Sequence, residues 1–361
     1  MIELNKLVDV LKKRKFGPFM GVPCSVFKDL LNYIIAENSF EHYACSSEGE
    51  SLGLAAGFAL AGKHPVVYMQ NDGLGNAVNP LSSLQLMYDL PALLLVSWRG
   101  EPGKKDAPQH KLMGLTLLQL LDIYKIPYAV ITEDSIIDDI NNAEAYMKEY
   151  KKPYALIFKK GLIEKYKKES CDDNALNYRY EYLEELKKYI KDDDILLGTT
   201  GFTGRELYQK LCHKSKFYMM GSMGCLPSIG LGLAKSFPGK RVFVLDGDGA
   251  LLMKLGSLAT IGNYKAENII HICFDNNQYE STGGQITTSD TVNFTTIALG
   301  CEYKEAISID NLKQFTSVLE RINSIPKPLF IHIRIKPGSI NELQRPSITP
   351  VEMKNEFMES L

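Results

Sequence analysis

The sequence predicts an α/β protein with two doubly wound, mainly parallel sheets, one in each half of the chain. Short apolar runs that are typical of buried strands alternate with segments of helical periodicity along both halves. Between the halves, residues 166–190 are rich in Lys, Glu, Asp and Tyr. We therefore expect an N-terminal domain over 1–165, a linker region over 166–190 and a C-terminal domain over 191–361.

Each element is predicted from its own pattern. Apolar runs predict strands over 19–23, 66–69, 91–98, 128–132 and 154–159, and then over 196–200, 217–221, 242–245, 269–274 and 329–335. Helical spacing predicts helices over 4–11, 26–36, 112–123, 180–190, 204–212, 225–236 and 250–262. A further helix follows Ser47, which forms a capping box with Glu50, and its apolar character on nearly every side predicts burial. We expect a glycine-rich turn at 71–75 and a polar tail over 341–361.

Composition argues against several classes of protein. At 361 residues the chain is long enough for two domains, and its formal net charge of −2 argues against nucleic-acid binding and a polybasic membrane anchor. No apolar run has the length of a transmembrane helix, and the amphipathic N-terminus lacks the core of a signal peptide. Seven cysteines without a CxxC pair predict a cytoplasmic protein with no structural zinc.

The most informative stretch runs from 241 to 285 and predicts one βαβ unit. The segment 246–249, Asp-Gly-Asp-Gly, follows the first strand, and we expect a tight turn there because glycine adopts left-handed backbone angles freely. The helix that follows is predicted to end at Gly262 as its C-cap. The two strands of such a unit lie parallel, so their carboxyl ends meet at one edge of the sheet.

That edge brings Asp248 close to Asn276 and Asn277, which follow the second strand. Carboxylate and amide oxygens suit a hard cation such as Mg²⁺, which completes its octahedron with phosphate oxygens and water. The backbone N–H groups of Gly249 and Ala250 can bind the same phosphates at the start of the helix. The residues indicate a magnesium diphosphate site, and the alternative is an ordinary crossover whose Asp-Gly pairs only make turns.

The spacing of these residues resembles the motif of the thiamine diphosphate (ThDP)-dependent enzymes. Gly247 begins a Gly-Asp-Gly triplet, which is followed by a spacer and the Asn-Asn pair, as in that family. The resemblance implies that Asp248, the Asn277 side chain and the Tyr279 carbonyl bind Mg²⁺ next to the cofactor. It also implies a pyrimidine-binding N-terminal domain and a diphosphate-binding C-terminal domain.

Glu48 is the second candidate for the cofactor site. It lies in the first turn of an otherwise apolar helix, next to Gly49, which leaves space beside the carboxyl. Acids favour helix N-termini, but Ser47 and Glu50 already supply the predicted cap. The segment SEGESLGLAAGFALAG resembles the one in which ThDP enzymes place the glutamate that hydrogen-bonds the aminopyrimidine ring. The resemblance implies that Glu48 activates the cofactor.

Two further segments are assigned to cofactor binding. GSMGCLPSIGLGLA resembles the ThDP segment in which an apolar side chain holds the cofactor in its bent shape. The resemblance implies this role for Met223 and implies that the Gly221 carbonyl accepts a hydrogen bond from the cofactor's amino group. The alternative is an ordinary core methionine after a glycine-rich turn. At the end of the strand 196–200, we expect Thr200 and Gly201 to add donors for the diphosphate.

Three loops after predicted strands are expected to contact a small anionic substrate. They contain Ser25, Asn71 and Arg99, and the third loop continues through Lys104 to His110. Basic side chains suit an anionic group on the substrate, and histidine suits proton transfer near neutral pH. The alternative is a set of solvated loops with ordinary charges.

As a set, the segments resemble the phosphonopyruvate decarboxylase family over nearly the whole chain, including the absence of a middle domain. The similar blocks are MQNDGLGNAVNPL, WRGEPG with a following PQH, TTGFTGREL, GSMGC and DNNQYESTGGQ. One departure is Cys24, where many members carry Asp. The resemblance implies ThDP- and Mg²⁺-dependent decarboxylation of 3-phosphonopyruvate, a 2-oxo acid, to phosphonoacetaldehyde and CO₂. It also implies a homodimer or larger homo-oligomer with the site between subunits.

Other functions remain open at this point. Sulfopyruvate decarboxylase is the nearest alternative, followed by another ThDP-dependent decarboxylase, a carboligase or synthase, and a non-catalytic protein of the same fold. Two nucleotide motifs are excluded by context. GFALAGK has His64 where a P-loop carries Ser or Thr, and it ends a helix. The Gly-x-Gly pairs at 230–232 and 247–249 lack the third glycine of a dinucleotide fingerprint.

Overall fold

Two six-stranded sheets, in which all neighbouring strands are parallel, form the frame of the protein. The structure is a computed structural model that describes residues 1–167 and 176–361. The chain divides into one compact unit of Met1–Ser170 with Thr282–Ile286 and a second of Cys171–Ser281 with Thr287–Leu361. The predicted α/β class with parallel sheets is confirmed. The boundaries predicted for the two domains stay a prediction, and the predicted linker lies partly outside the described residues.

In the first half of the chain, strands and helices alternate. The strands are β1 Phe16–Gly21, β2 His42–Ala44, β3 His64–Gln70, β4 Leu93–Trp98, β5 Tyr128–Val130 and β6 Tyr154–Lys159. The helices are α1 Leu4–Lys13, α2 Lys28–Ala36, α3 Glu48–Leu60, α4 Leu74–Pro80, α5 Lys111–Ile123 and α6 Ile136–Tyr150. The strand order in the sheet is β2-β1-β3-β4-β6-β5.

The second half repeats this alternation. Its strands are β7 Ile195–Gly198, β8 Lys216–Tyr218, β9 Val242–Gly247, β10 Ile269–Asp275, β11 Gln278–Tyr279, β12 Gln285–Ile286, β13 Glu305–Ile309 and β14 Leu329–Arg334. Its helices are α7 Arg179–Leu186, α8 Phe202–Lys210, α9 Leu226–Ser236, α10 Asp248–Met253, α11 Ser257–Asn263, α12 Phe294–Gly300, α13 Leu312–Glu320 and α14 Pro350–Glu359. The sheet has the strand order β13-β14-β10-β9-β7-β8.

Both sheets are buried on their two faces, which explains why the strands are continuous apolar runs. In β3, Val66 and Tyr68 pack into the core beneath α1, α2 and α6, whereas Val67 and Met69 pack beneath α3, α4 and α5. The strand β9 is divided between two cores in the same alternating way. This arrangement leaves the carboxyl ends of the strands as the place for polar residues.

The helix α3 is only partly buried, so the prediction that it is enclosed was wrong. Leu52 and Ala55 face the core, whereas Gly53, Gly57 and Leu60 are exposed to solvent. The cap also differs from the predicted box. Ser47 accepts from the backbone N–H of Glu50 at 3.3 Å, as expected, but the Glu50 carboxylate accepts from Ser46.

The segment after β9 differs from the predicted tight turn. The strand continues to Gly247, and α10 begins directly at Asp248. Neither Gly247 nor Gly249 has a positive φ. At Gly249 an added Cβ would lie 2.7 Å from the ring of Tyr279, so close packing is the reason for this glycine. The predicted helix is also broken, because α10 ends at Met253 and α11 begins at Ser257.

Several other elements were predicted wrongly or missed. Residues 71–75 are not a turn, because a 3₁₀ helix at Asn71–Gly73 leads directly into α4. The expected polar tail contains α14, which is capped by Thr349. The helices α6, α12 and α13 and the strand β13 had no counterpart in the predicted elements. No helix in the described part of the chain has the length and apolarity to cross a membrane.

Gly262 lies inside α11 and is not the predicted C-cap. A Cβ there would overlap the Cys301 carbonyl. We therefore expect Gly262→Ala to lower the free energy of unfolding by about 1–3 kcal/mol, because the packed backbone must shift. The measurement is a urea denaturation of the full chain.

Gly232→Ala in α9 is the matched control, since an added Cβ there meets nothing within 4 Å. Replacing an exposed helical glycine by alanine should leave stability unchanged or raise it by up to about 1 kcal/mol. Equal losses for both variants would contradict the packing role of Gly262.

Candidate active site

The predicted metal ligands lie together at the carboxyl ends of β9 and β10. These strands are parallel neighbours, with Gly247 paired to Phe274, so the residues after each strand meet. Thr287 connects them: its hydroxyl lies 2.6 Å from Asp248 Oδ2 and 3.2 Å from Asn277 Oδ1. Packing of the Tyr279 ring against Gly249 joins the Asn277–Tyr279 segment to the start of α10.

The pKa values of two buried carboxyls in this cluster are shifted in opposite directions. Burial, together with the nearby charge of Asp275, raises the pKa of Asp248 to about 7. Burial also opposes ionisation of Asp275, but donors outweigh it and lower its pKa: His332 Nε2 at 2.9 Å, Ser289 Oγ at 2.8 Å and the N–H of Asn277 at 2.9 Å. Asp248 is therefore the carboxylate that lacks enough compensation for its charge.

A hard cation fits this donor set. A cation beside Asp248 would favour its charged form and relieve the repulsion from Asp275. No group of three His, Cys, Asp or Glu residues forms a metal cluster within residues 1–167 and 176–361. A cation at Asp248 would therefore take amide and carbonyl oxygens as further ligands, which is the preference of Mg²⁺ and Ca²⁺.

The other predicted cofactor residues of the second unit lie at neighbouring strand ends. The Thr200 hydroxyl donates to the Met220 carbonyl at 2.9 Å, which ties the end of β7 to the loop after β8. Gly201 has a φ of 88° and is the N-cap residue that directly precedes α8. The half-buried Met223 precedes Gly224, where an added Cβ would lie 2.9 Å from the Ala250 carbonyl. The loop that contains Gly221 and Met223 therefore packs against α10.

In the first unit, Glu48 is buried at the start of α3. Asn76 Nδ2 donates to Glu48 Oε2 at 2.9 Å. At Gly73 a Cβ would overlap the Glu48 carboxyl, so only glycine allows this approach. The helical segment from Asn71 to Asn76, which was predicted as a turn, therefore supports the carboxyl. Neither Gly73 nor Asn76 was predicted as a site residue, because a contact across the fold leaves no local pattern.

Arg99 is held by a carboxylate that the sequence did not single out. Asp106 accepts from Arg99 Nε at 2.7 Å and from Nη2 at 2.5 Å, and Arg99 Nη1 donates to Ser25 Oγ at 3.1 Å. The Asn71 side chain exchanges two hydrogen bonds with the Arg99 backbone, at 2.8 and 3.0 Å. Partial burial opposes ionisation of Asp106, but Arg99 and two backbone N–H groups hold the pKa of its carboxyl well below its usual range.

His110 is buried, and its Nδ1 lies 2.8 Å from Asp72 Oδ2. The predicted substrate residues Ser25, Asn71, Arg99 and His110 thus lie in one polar region of the first unit. Lys104 differs, because it is exposed on the turn that follows Glu101. The Lys104 side chain makes no hydrogen bond or ion pair to Ser25, Asn71, Arg99 or His110.

Cys24, the departure from the family pattern, lies beside this region in the first unit. Its Sγ donates to Ser97 Oγ at 3.2 Å, and burial raises the pKa of its thiol. It therefore acts as a small buried side chain and carries no charge at neutral pH.

Comparison with known proteins identifies the family to which this chain belongs. The description "Thiamine pyrophosphate enzyme, N-terminal TPP binding domain" matches residues 4–119, and its C-terminal TPP binding counterpart matches 201–333. Phosphonopyruvate decarboxylases of Streptomyces viridochromogenes and Streptomyces hygroscopicus are each 34% identical to this chain, over 93% and 94% of it and 89% of their own chains. The chain belongs to the phosphonopyruvate decarboxylase family of ThDP-dependent enzymes. Sulfopyruvate decarboxylase of Methanosarcina acetivorans is 28% identical over 99% of this chain and 97% of its own.

Membership of this family confirms the predicted family, the predicted fold class and the predicted dependence on ThDP. It makes the chain a ThDP-dependent carboxy-lyase that acts on a 2-oxo acid. The N-terminal match contains Glu48 and His110, and the C-terminal match contains Asp248 and Asn277. The roles of these individual residues stay predictions.

Asp106→Asn tests the ion pair in this family member. We expect it to lower the free energy of unfolding at pH 7 by about 2–3 kcal/mol, because Arg99 loses its anionic partner in a partly buried place. The folded-state pKa of Asp106 is depressed, so its stabilisation is complete above the unfolded value of about 4 and is lost as pH falls toward the folded pKa. The difference between wild type and variant, from urea titrations, should be similar at pH 7 and 5 and smaller at pH 3.

Asp89→Asn is the control for that titration. Asp89 forms an exposed ion pair with Lys152, at 3.7 Å, which contributes less than about 1 kcal/mol. A loss for Asp106→Asn that stays constant down to pH 3 would show that its charge does not stabilise the fold.

Proposed function

We propose that the protein decarboxylates 3-phosphonopyruvate to phosphonoacetaldehyde and CO₂, with ThDP and Mg²⁺, as a step of phosphonate biosynthesis. The observation that carries this proposal is 34% identity to two phosphonopyruvate decarboxylases along 89% of their length. A sulfopyruvate decarboxylase covered as fully has 28% identity.

The second unit supplies the residues for Mg²⁺ and most of those for the cofactor. Asp248, the Asn277 side chain and the Tyr279 carbonyl bind the metal, and the support for this assignment is the buried, undercompensated Asp248 carboxyl. The Gly221 carbonyl and Met223 contact the ring system of the cofactor. The diphosphate is bound by residues at or just after the ends of two strands, β7 and β9, which are Thr200, Gly201, Gly247, Gly249 and Ala250.

In this proposal the first unit supplies the acid–base and substrate residues. Bound ThDP provides the electron sink that decarboxylation of a 2-oxo acid requires. Glu48 holds its carboxyl in a buried position for a hydrogen bond to the aminopyrimidine, and His110 transfers a proton at the substrate. Arg99, with Ser25 and Asn71 beside it, orients the anionic group, and Lys104 adds positive charge from the turn. Three of the five N–H donors of Arg99 are used by Asp106 and Ser25, which leaves two for the substrate.

Sulfopyruvate is the second candidate substrate, and the Arg99–Asp106 pair is the observation that favours it. Because Asp106 balances the charge of Arg99, this region offers little net positive charge to the substrate. A sulfonate carries one negative charge, whereas a phosphonate approaches two at neutral pH. The electrostatics therefore favour the sulfonate, and the sequence identity favours the phosphonate.

We further propose a cytoplasmic homodimer or larger homo-oligomer, with the active site between subunits. The support is apolar surface on two helices of the first unit. Leu60 at the end of α3 is exposed, as are Leu112, Leu115 and Ile123 on α5. Large apolar side chains with this degree of exposure are typical of surfaces that a second subunit covers.

The function is tested by kcat/KM for phosphonopyruvate, sulfopyruvate and pyruvate, with ThDP and Mg²⁺ supplied. We expect phosphonopyruvate to exceed sulfopyruvate by about 10-fold and pyruvate by at least about 100-fold, because pyruvate leaves the donors for the anion unpaired. Preference for sulfopyruvate would establish the second candidate. Ligated products would indicate a carboligase, and cofactor binding without turnover would indicate a non-catalytic protein.

Two variants separate the proposed roles of the buried carboxyls. Asp248→Asn should weaken Mg²⁺-dependent ThDP binding by at least about 100-fold, since even partners outside the ligand shell cost 10–100-fold. Glu48→Gln should retain ThDP binding within about 10-fold and lose at least about 100-fold in kcat. Calorimetric titration and steady-state kinetics measure the two effects.

Glu50→Gln is the matched control, because Glu50 lies in the same helical turn as Glu48 and its carboxylate only accepts a hydrogen bond from Ser46 at the start of α3. It should retain both binding and turnover. Loss of ThDP binding with Glu48→Gln and normal binding with Asp248→Asn would reverse the assignment.

A further inference from the structure

We propose that Asp72 is a positioning residue that fixes the tautomer of His110 and makes Nε2 the nitrogen that transfers a proton to the substrate. This inference rests on the proposed function. Asp72 was not among the residues predicted from the sequence, and its part in the site follows from contacts on both sides of the imidazole.

Two contacts of the imidazole agree on one tautomer. Asp72 Oδ2 lies 2.8 Å from His110 Nδ1, and an ionised carboxylate only accepts, so Nδ1 carries the hydrogen. On the other side, the Gln109 side-chain amide nitrogen lies 3.4 Å from Nε2. An amide nitrogen only donates, so Nε2 is the acceptor. The neutral ring therefore has its lone pair on Nε2.

Asp72 is itself held in place. Gln70 Nε2 donates to the same Oδ2 atom at 2.8 Å, so this oxygen accepts from both Gln70 and His110. Asp72 lies within the 3₁₀ helix at Asn71–Gly73, where its backbone position is set by a regular turn. The carboxylate thus points at the ring from a fixed site and does not depend on a long flexible side chain.

The pair also lies close to the group proposed to activate the cofactor. Gly73, the residue after Asp72, packs against the Glu48 carboxyl, and Asn76 donates to the same carboxyl at 2.9 Å. One short segment therefore contacts His110 through Asp72 and Glu48 through its next turn. This juxtaposition distinguishes Asp72 from an ordinary surface partner of a histidine.

The chemistry needs a proton at the carbon that loses CO₂. The bond between the carboxylate carbon and the keto carbon breaks, and its electron pair remains with the keto carbon. That carbon gains one proton and becomes the aldehyde carbon of the product. Neutral His110 takes up at Nε2 the one proton that the overall reaction consumes from bulk solvent, and delivers it to the carbon. The ring returns to its starting tautomer, and the hydrogen on Nδ1 stays in place throughout.

Asp72 has two effects on this transfer. Its hydrogen bond keeps the lone pair on Nε2, and its charge stabilises the imidazolium that exists while the proton is held. His110 is buried, so the interaction is screened less than it would be in water. An amide at position 72 would remove the charge and would permit the opposite tautomer, in which Nδ1 accepts.

Asp72→Asn tests the proposal in the full chain with ThDP and Mg²⁺. We expect kcat to fall by about 10- to 100-fold with KM within about 3-fold, on whichever 2-oxo acid the wild type prefers. In the His110→Gln background, Asp72→Asn should have no further effect on kcat, because Asp72 acts through His110. A residue with only a structural role would reduce kcat in both backgrounds. Asp89→Asn, on the exposed surface of the same unit, is the matched control and should change neither constant.

A second measurement needs neither turnover nor cofactor. The chain has six histidines, and ¹⁵N-labelling of their rings resolves each tautomer by NMR, with the His110 signal assigned by its loss in His110→Gln. Wild-type His110 should carry its hydrogen on Nδ1, and Asp72→Asn should shift the population toward Nε2–H. A wild-type ring protonated on Nε2, or an unchanged kcat in Asp72→Asn, would overturn the proposal. A wild type that turns over no 2-oxo acid would refute the proposed function and the proton transfer with it, while the NMR would still decide the tautomer.

Discussion

Burial of carboxylates at the carboxyl ends of parallel strands is the constraint on which the site depends. A buried ionised carboxyl loses its hydration, and only hydrogen-bond donors or a cation compensate for that loss. Asp275 has donors on several sides, so its pKa is lowered, whereas the pKa of Asp248 is raised to about 7. The uncompensated charge is therefore concentrated on one side chain, which is where a cation contributes most to stability.

In the first unit, three carboxyls that are withdrawn from solvent to different degrees are compensated by different kinds of partner. Glu48 accepts from the neutral amide of Asn76, Asp106 pairs with the guanidinium of Arg99, and Asp72 faces an imidazole. The partner determines what each carboxylate can do. A carboxyl that accepts from a neutral amide is held without neutralisation of its charge, one beside arginine orients that arginine, and one beside histidine sets the position of a proton.

Local patterns were sufficient for much of this fold. Continuous apolar runs predicted parallel sheets, because a strand buried on both faces has no polar side. The βαβ topology then placed Asp248 beside Asn277, since neighbouring parallel strands end at one edge. Glycines were harder to interpret. Gly249 and Gly262 were assigned to backbone angles, whereas both are required by contacts with residues distant in the sequence, Tyr279 and Cys301.

The sequence by itself determined the fold class, the family and the main carboxyls, because periodicity and motif spacing are properties of neighbouring residues. Only the tertiary structure identified Asp106, Asp72 and Thr287, which connect the predicted side chains to one another. It also showed that residues 71–75 form a helical segment and not the expected turn. The physical reason is the same in each case: these residues act through hydrogen bonds to partners brought close by folding, and such bonds leave no periodic trace in the chain.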